Sequence, residues 1–337
     1  MRVMKRLAQS EAPDCNRRGL YSKVGVATVW VDTLSGSGSR RWRPLAHSWI
    51  GGDVVQSGNW LLVFNCTNIG LANSLKLLVP GLEVESIDFG RFKKDFASYA
   101  PRLDTFDLIL TAPDFVNNQC VDFANVAPVQ TVPIPYFDAY HPDLCYLTGT
   151  KGILKGPMGD YHSKIITAAY KKRVPKASVR ALFTSSRYFE FGYLDRWEPA
   201  KAALIDGFAN VGLNIDGYFR TWSVRRQFMH SVNHPAIEVV YDMARRILTR
   251  EEIEYVDTRI LPHDNLMNGP IYPVFDEIAE RLSIQGSYLF KLPAQYRCIT
   301  LDQFINASYD FLGQFDPAII NAYSTQHQSF QHVLATL

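Results

Sequence analysis

The feature that constrains the fold most is a predicted strand that begins near Trp60 and is followed at once by a predicted helix. The apolar run 59–65 is short and continuous, which is typical of a strand buried on both faces. Further strands are predicted over 82–89, 106–113 and 129–137. Helices are predicted between the first three strands, over 67–81 and 91–103. This alternation favours βαβ units and therefore a parallel sheet with helices on its faces.

The pattern changes near residue 160, where strand-like runs give way to amphipathic segments. Helices are predicted over 160–173, 199–212, 234–249, 271–284 and 300–315. We therefore expect an α/β fold in which a short parallel sheet flanked by helices is followed by a mostly helical C-terminal half. Three parts are predicted: an N-terminal extension over 1–57 that is partly disordered or holds a short hairpin, an α/β core over 58–158, and the helical part over 159–337.

Composition and charge limit the class of protein. The 337 residues are 47% hydrophobic, enough for a substantial core, and the net charge of +2 does not favour nucleic acid as a partner. The five cysteines are scattered, with no CxxC, which indicates reduced thiols rather than a disulfide framework or a zinc finger. No apolar run is long enough for a signal peptide or a transmembrane helix, so a cytoplasmic protein is expected.

Polar residues with a thiol follow the first predicted strand, in the order Asn65-Cys66-Thr67. Ligands bind at the carboxyl ends of strands in open parallel sheets. A thiol there meets the N-terminus of the next helix, whose free N–H groups and dipole favour the thiolate. Asn65 and backbone N–H groups of the turn could hold an oxyanion. The alternative is that Cys66 is a small buried filler, because free cysteine is among the most buried residue types.

A thiol nucleophile needs a base, which is usually histidine. His141, within His-Pro-Asp, follows the fourth predicted strand and has Asp143 beside it. His234 precedes a proline that favours a helix start, with Asn233 as the predicted N-cap. His234 is the preferred base and His141 the second choice. Each histidine taken alone is more often a structural side chain.

The motifs of several other chemistries are missing from the sequence. No HExxH is present, so no metal site is predicted. Neither GxGxxG after the first strand nor GxxxxGK[ST] occurs, which leaves the usual nucleotide fingerprints absent.

The order of six short segments resembles the WcbI-like polysaccharide-biosynthesis acetyltransferases. The resemblance runs from about Trp60 to about Leu292, through the segments VFNCTN, FDLILTAP, VPIPYFDAYHPDLCYL, GDYHSKIITAAY, RQFMHSVNHPAIEVVYDMARRIL and NGPIYPVFDEIAERLSI. Phe64 and Thr67 depart from the glycine and glutamine that are typical of the family at those positions. The spacing of Cys66 and Gly70 also resembles the nucleophile turn of the SGNH hydrolases, with cysteine in place of serine.

The resemblance implies an O-acetyltransferase that uses acetyl-coenzyme A and a Cys/His site. The acceptor would be a sugar of a capsular or other surface polysaccharide, and the core would be SGNH- or flavodoxin-like. Coenzyme A carries phosphates that need cations or a helix N-terminus. The candidate ligands for them are Arg225, Arg226 and Lys164, with His162 next to Lys164.

Three rival interpretations remain open at the level of the sequence. The same site with water as acceptor would be an SGNH-like esterase or deacetylase. A degenerate site, suggested by Phe64 and Thr67, would leave a non-catalytic glycan-assembly protein. A nucleotide-dependent glycosyl- or sulfotransferase is disfavoured by the missing phosphate loop. A homo-oligomer is compatible with all of them.

Overall fold

The structure is a computed structural model that describes residues 46–50, 53–116, 123, 128–150, 152–224 and 226–337. Most of the predicted extension over 1–57 therefore lies outside the described residues. In its described end, residues 46–50 and 53–57 pair as an antiparallel hairpin, one of the two predicted alternatives, and this hairpin runs into the first parallel strand. The predicted strand start at residue 59 is thus too late.

The elements, numbered in chain order, have the following bounds. The strands are β1 Ala46–Ile50, β2 Asp53–Phe64, β3 Leu82–Asp88, β4 Leu108–Thr111, β5 Val129–Thr131, β6 Leu144–Gly149, β7 Gly152–Ile153, β8 Tyr161–Ser163, β9 Met229–Ser231, β10 His234–Pro235, β11 Leu289–Lys291, β12 Cys298–Thr300 and β13 Asn321–Ala322. The α-helices are α1 Asn68–Leu78, α2 Phe89–Lys94, α3 Phe96–Tyr99, α4 Pro113–Val116, α5 Lys164–Lys171, α6 Ser185–Glu190, α7 Trp197–Ala209, α8 Asp216–Ser223, α9 Ile237–Arg250, α10 Asp276–Leu282, α11 Leu301–Leu312 and α12 His327–Thr336. Short 3₁₀ helices cover Ala100–Thr105, Lys176–Leu182, Tyr193–Asp195, Asn265–Asn268 and Ser324–Gln326.

The central sheet has four parallel strands in the order β3-β2-β4-β5, and β1 adds to it antiparallel on β2. The side chains of β2 alternate between two cores. Trp60, Leu62 and Phe64 belong to the large core on the side of α1, whereas Leu61 and Val63 face a smaller one. Residues 60–64 of β2 are therefore buried on both faces, as the continuous apolar run predicts, and the α/β fold is confirmed.

Several predicted elements are shorter or differently placed. The predicted helix over 91–103 is broken into α2, α3 and a 3₁₀ turn, and the predicted strand over 129–137 ends at Thr131. The C-terminal half is rich in helices, but it also contributes strands, including β13, which joins β6, β7 and β8 in a four-stranded antiparallel sheet. The predicted helices over 199–212 and 300–315 are confirmed as α7 and α11.

Helices α1 and α9 pack together closely, and Gly70 lies at their contact. A Cβ atom at Gly70 would lie 3.1 Å from Cδ1 of Ile237 and 3.3 Å from Oδ1 of Asn265. The glycine is thus explained by helix packing. The likeness to an SGNH nucleophile turn, which rests partly on this glycine, stays a prediction.

Candidate active site

A cleft of about 670 Å³ opens where β2 and β3 end and α1 begins. Its lining residues come from four parts of the chain that are distant in sequence. They are Cys66, Asn68 and Ile69; Ser86, Ile87, Asp88, Arg91 and Tyr99; His234; and Asn265, Leu266 and Gly269. The carboxyl edge of the sheet is where parallel α/β folds bind ligands. The cleft therefore brings together the two residues that the sequence ranks first, Cys66 and His234.

The turn that carries Cys66 is held by its neighbours. Oδ1 of Asn65 accepts hydrogen bonds from the backbone N–H of Thr67, at 3.1 Å, and from its hydroxyl, at 2.6 Å. The backbone N–H of Asn68 closes the turn on the carbonyl of Asn65, at 3.0 Å. Nδ2 of Asn65 is buried and has no partner among the described residues. The amide nitrogen of Asn65 is therefore unpaired in the turn that carries the thiol, and its predicted role in holding an oxyanion stays a prediction.

The two departures from the family pattern both have a structural role. Phe64 is fully buried in the large core, and Thr67 is buried with its hydroxyl on Asn65. Phe64 and Thr67 therefore stabilise the turn, although they differ from the residues that are typical of the family.

Replacing Thr67 with valine tests this support. The change keeps the shape but removes the hydroxyl, and a buried hydrogen bond contributes about 1 kcal/mol. We expect Thr67→Val to lower the free energy of unfolding by ~1–2 kcal/mol in urea titrations, because Oδ1 of Asn65 also loses part of its pairing. Thr67→Ser, which keeps the hydroxyl, is the matched control. Equal losses in both variants would show that the hydroxyl does not support the turn.

Burial favours the protonated thiol of Cys66 at neutral pH, against the thiolate that a helix N-terminus would favour. Burial raises the pKa of Cys66 to about 12; its own backbone N–H opposes the shift, and the Asp88 carboxylate adds to it. The N-terminus of α1 does not overcome these effects. A base must therefore take the proton as the sulfur reacts.

Alkylation of Cys66 by iodoacetamide follows from this protonation state. Only the thiolate reacts, so we expect the rate to rise about tenfold per pH unit from about pH 6 to 9 without a plateau. Peptide mapping by mass spectrometry would follow Cys66 separately from the exposed thiol of Cys298. A plateau near neutral pH would contradict the raised pKa and indicate a preformed thiolate.

His234 reaches the cleft from a hairpin and not from a helix. The prediction that Asn233 caps a helix starting at Pro235 is wrong, because β9 and β10 pair antiparallel and α9 begins only at Ile237. The side chain of Asn233 instead accepts a hydrogen bond from the hydroxyl of Tyr161, at 2.6 Å. Pro235 has no backbone N–H to donate, and this is tolerated because β10 has only two residues and forms few ladder hydrogen bonds.

The imidazole of His234 is neutral at physiological pH. Burial lowers its pKa to about 4, helped by the charge of His230 and opposed by Asp264 and Asp160. A neutral imidazole can accept a proton, as a general base must. His234 and the protonated thiol of Cys66 thus have complementary protonation states in one cleft.

A histidine–aspartate pair near His234 could not be found from the sequence. Nε2 of His230 lies 2.8 Å from Oδ2 of Asp264, a residue for which the sequence gives no signal. The carboxylate also accepts the backbone N–H groups of Ile237 and Leu266, both at 3.1 Å. Burial raises the pKa of the Asp264 carboxyl, but the hydrogen bonds and His230 lower it by more, and the net effect is a lowered pKa.

His141, the second-choice base, lies in the core and not in the cleft. It is 2% exposed, its Nε2 lies 2.9 Å from the carbonyl of Tyr272, and burial lowers its pKa to about 3. Asp143 is fully buried, where it accepts hydrogen bonds from the N–H of Ile165 and the hydroxyl of Tyr193. Neither residue lines the cleft, so their predicted catalytic role is not supported.

Three of the predicted phosphate ligands, His162, Lys164 and Arg226, do not line the cleft. His162 and Lys164 are buried; Nζ of Lys164 donates to the carbonyl of Pro142 at 2.6 Å, and His162 lies against Phe311. Arg226 is exposed and paired with Glu238, whereas Arg225 lies outside the described residues. Arg91 in α2 is a cation at the cleft that the sequence reasoning missed; its side chain is 76% exposed, and its Nε donates to Asp95 at 3.3 Å.

The described residues contain no group of three or more His, Cys, Asp or Glu side chains placed to hold a metal ion. In the same part of the chain, no helix is both long and apolar enough to span a bilayer.

Fold and site together define an α/β protein with a thiol and an imidazole at the carboxyl edge of a parallel sheet. The model of the family described as polysaccharide biosynthesis enzyme WcbI matches residues 59–254. The chain therefore belongs to the WcbI family of polysaccharide biosynthesis enzymes. The match begins next to Trp60, as the sequence motifs suggest, and it ends before the NGPIYPVF segment.

A solved structure of WcbI, described as a novel polysaccharide biosynthesis enzyme, has a similar fold. Its TM-score is 0.60 at 14% identity, and the alignment covers 83% of this chain and 99% of that chain. That structure is of a native form without a disulfide bond between coenzyme A and one of its cysteines. At this identity the likeness shows the fold alone. No curated protein matches this chain in sequence.

Proposed function

We propose that this protein is an acetyl-coenzyme A-dependent O-acetyltransferase that acts on a sugar of a surface polysaccharide. The observation that carries the proposal is the shared cleft of Cys66 and His234, one protonated and the other neutral. Membership in a polysaccharide biosynthesis family supports a sugar acceptor, and coenzyme A in the description of the WcbI structure supports the donor.

The reaction we propose has two transfers through Cys66. His234 takes the thiol proton as the sulfur attacks the acetyl carbonyl, and the imidazolium then returns the proton to the departing coenzyme A thiolate. A sugar hydroxyl next attacks the acetyl-cysteine, with His234 as its base, and the thiol is regenerated. The free energy of acetyl exchange between two thiols is close to zero, so forming the acetyl-cysteine is not thermodynamically unfavourable.

The free N–H groups near Cys66 fit the charge that develops in this reaction. Nδ2 of Asn65 is buried without a partner, and the first turn of α1 has backbone N–H groups that no intrahelical carbonyl accepts. Donors aimed at a developing oxyanion are worth a large part of the rate enhancement in acyl transfer. We propose that Asn65 and this turn stabilise the tetrahedral oxyanion.

The walls of the cleft suit an extended thioester. Ile69, Ile87 and Leu266 supply apolar surface beside the thiol for the pantetheine arm. Arg91 supplies a cation near the opening, where a phosphate would remain partly solvated. The free thiols fit the predicted cytoplasmic location, because thiols are kept reduced there.

Release of coenzyme A thiol from acetyl-coenzyme A tests transfer directly. The purified protein is mixed with acetyl-coenzyme A, with and without a panel of oligosaccharides of different sugar composition. We expect release to depend on a sugar and the acetyl group to appear on it by mass spectrometry. Equal release without sugar would show a hydrolase, and no release under either condition would favour the degenerate-site protein.

A further inference from the structure

The base candidate His234 is carried by a small hairpin, residues 229–235, that pairs with no other strand among the described residues. An isolated two-stranded hairpin is marginally stable at best. Its position therefore depends on contacts from outside. Two are backbone bonds, from the N–H of Phe137 to the carbonyl of Val232 at 2.8 Å and from Tyr272 to His230 at 2.9 Å.

On one side of the hairpin, Tyr161 binds three of its residues. The tyrosine hydroxyl donates to Oδ1 of Asn233 at 2.6 Å and accepts from Oγ of Ser231 at 2.9 Å. Its ring meets that of His234 edge to face, with centroids 5.5 Å apart. One buried side chain from β8 thus holds both the turn of the hairpin and the imidazole.

On the other side, Asp264 holds the hairpin through His230. Successive strand residues point to opposite faces, so His230 and Ser231 face different neighbours. The Asp264 carboxylate joins Nε2 of His230 to the first residue of α9, Ile237, and to the cleft-lining Leu266. The hairpin, the start of α9 and the far wall of the cleft are therefore fixed relative to one another.

The ring of His234 depends on these contacts because no described residue orients it by a hydrogen bond. Its Nδ1 is buried and unpaired within the described part of the chain. Besides Tyr161, the ring packs against Gly269, where a Cβ atom would lie 3.5 Å from Cε1. A catalytic base is usually oriented by a hydrogen bond from a third residue. In this protein the packing of Tyr161 and Gly269 against the ring takes the place of that bond.

We propose that Tyr161 and Asp264 are positioning residues that clamp the 229–235 hairpin from two sides and hold the His234 imidazole in the cleft. Only the catalytic meaning of this clamp rests on the proposed acetyl transfer. The clamp itself is a property of the folded protein and can be tested without turnover.

The test compares Tyr161→Phe and Asp264→Asn with Tyr288→Phe as the matched control. Tyr288 is a second hydroxyl with two partners, Tyr188 at 2.6 Å and Glu277 at 2.7 Å, and it does not line the cleft. Tyr161→Phe keeps the ring beside His234 and removes the hydroxyl, which bonds Asn233, Ser231 and Tyr146. The first readout is the NMR signal of the His234 ring at neutral pH, assigned with His234→Gln.

We expect the His234 signal to shift and broaden in both clamp variants and to stay unchanged in Tyr288→Phe. Small misplacements of a catalytic group can cost up to about 100-fold in rate. For acetyl transfer we therefore expect kcat to fall ~10–100-fold, with the KM for acetyl-coenzyme A changed less than about twofold. Unchanged His234 signals in both clamp variants would overturn the proposal. Altered signals in a protein that transfers no acetyl group would leave the clamp in place and refute the proposed function.

Discussion

Replacing Cys66 with alanine is expected to abolish acetyl transfer. The thiol is the nucleophile of the proposed reaction, and loss of a nucleophile lowers kcat by at least ~10³-fold in enzymes of this type. The measurement is sugar-dependent release of coenzyme A thiol, together with intact mass after mixing with acetyl-coenzyme A. Wild type should gain one acetyl group and Cys66→Ala none.

Two controls make the Cys66 result specific. Cys298→Ala removes an exposed thiol outside the cleft and should keep full turnover and the adduct. Cys66→Ser keeps the size of the side chain but has a weaker nucleophile, so it should also lose most activity. Full turnover by Cys66→Ala would exclude the covalent route and leave direct attack by the sugar.

Replacing His234 with glutamine should have the second largest effect. General base catalysis contributes about 10²–10⁴-fold, and the same loss in kcat is expected here. The pH dependence follows from the lowered pKa of about 4. Above that value the imidazole is neutral and can accept a proton, and below it the protonated form cannot, so kcat/KM should be flat near neutral pH and fall only in acid.

The control for His234 is His332→Gln, which changes an exposed histidine on α12 whose Nε2 contacts the carbonyl of Glu190. It should not alter the rate. An activity that falls with a midpoint near 6.5 in wild type would contradict the buried, neutral His234. An unchanged rate in His234→Gln would move the role of base to another group.

The position of the thiol could be predicted from the sequence because it depends on local pattern. A continuous apolar strand that ends in Asn65-Cys66 places both residues at the carboxyl edge of a parallel sheet. The protonation state could not be predicted in the same way. The helix start is visible in the sequence, whereas the burial that raises the pKa of Cys66 depends on residues from β3 and the hairpin.

His234 was assigned to the site for a reason that the structure corrects. Proline is favoured at the first position of a helix, but Pro235 lies in a short hairpin, and α9 begins two residues after it. His141 shows the opposite error, since its His-Pro-Asp setting resembles that of a site although the chain buries it against Tyr272. In both cases the position of the histidine depends on tertiary packing, which the local sequence does not show.

Asp264 and Arg91 had no sequence signal that marked them as part of the site, and the GDYHSKIITAAY segment gave no role for Tyr161. The contacts of Asp264 and Tyr161 with the hairpin join residues far apart in the chain, and single-sequence patterns carry no information about such pairings. Lys164 was misread for the same reason, because its burial on the carbonyl of Pro142 follows from how β6 and α5 meet.

Binding of coenzyme A measured by isothermal titration calorimetry tests the central claim most directly, which is that the Cys66 cleft takes this ligand. The comparison is with Ile69→Trp, which fills the cleft at a residue that is 50% exposed, and with Leu289→Trp, a 54% exposed residue elsewhere. We predict binding to wild type and Leu289→Trp and at least ~10-fold weaker binding to Ile69→Trp, because a ligand in the cleft must displace the indole. No binding to wild type, or equal binding to all three proteins, would contradict the assignment of the cleft to coenzyme A.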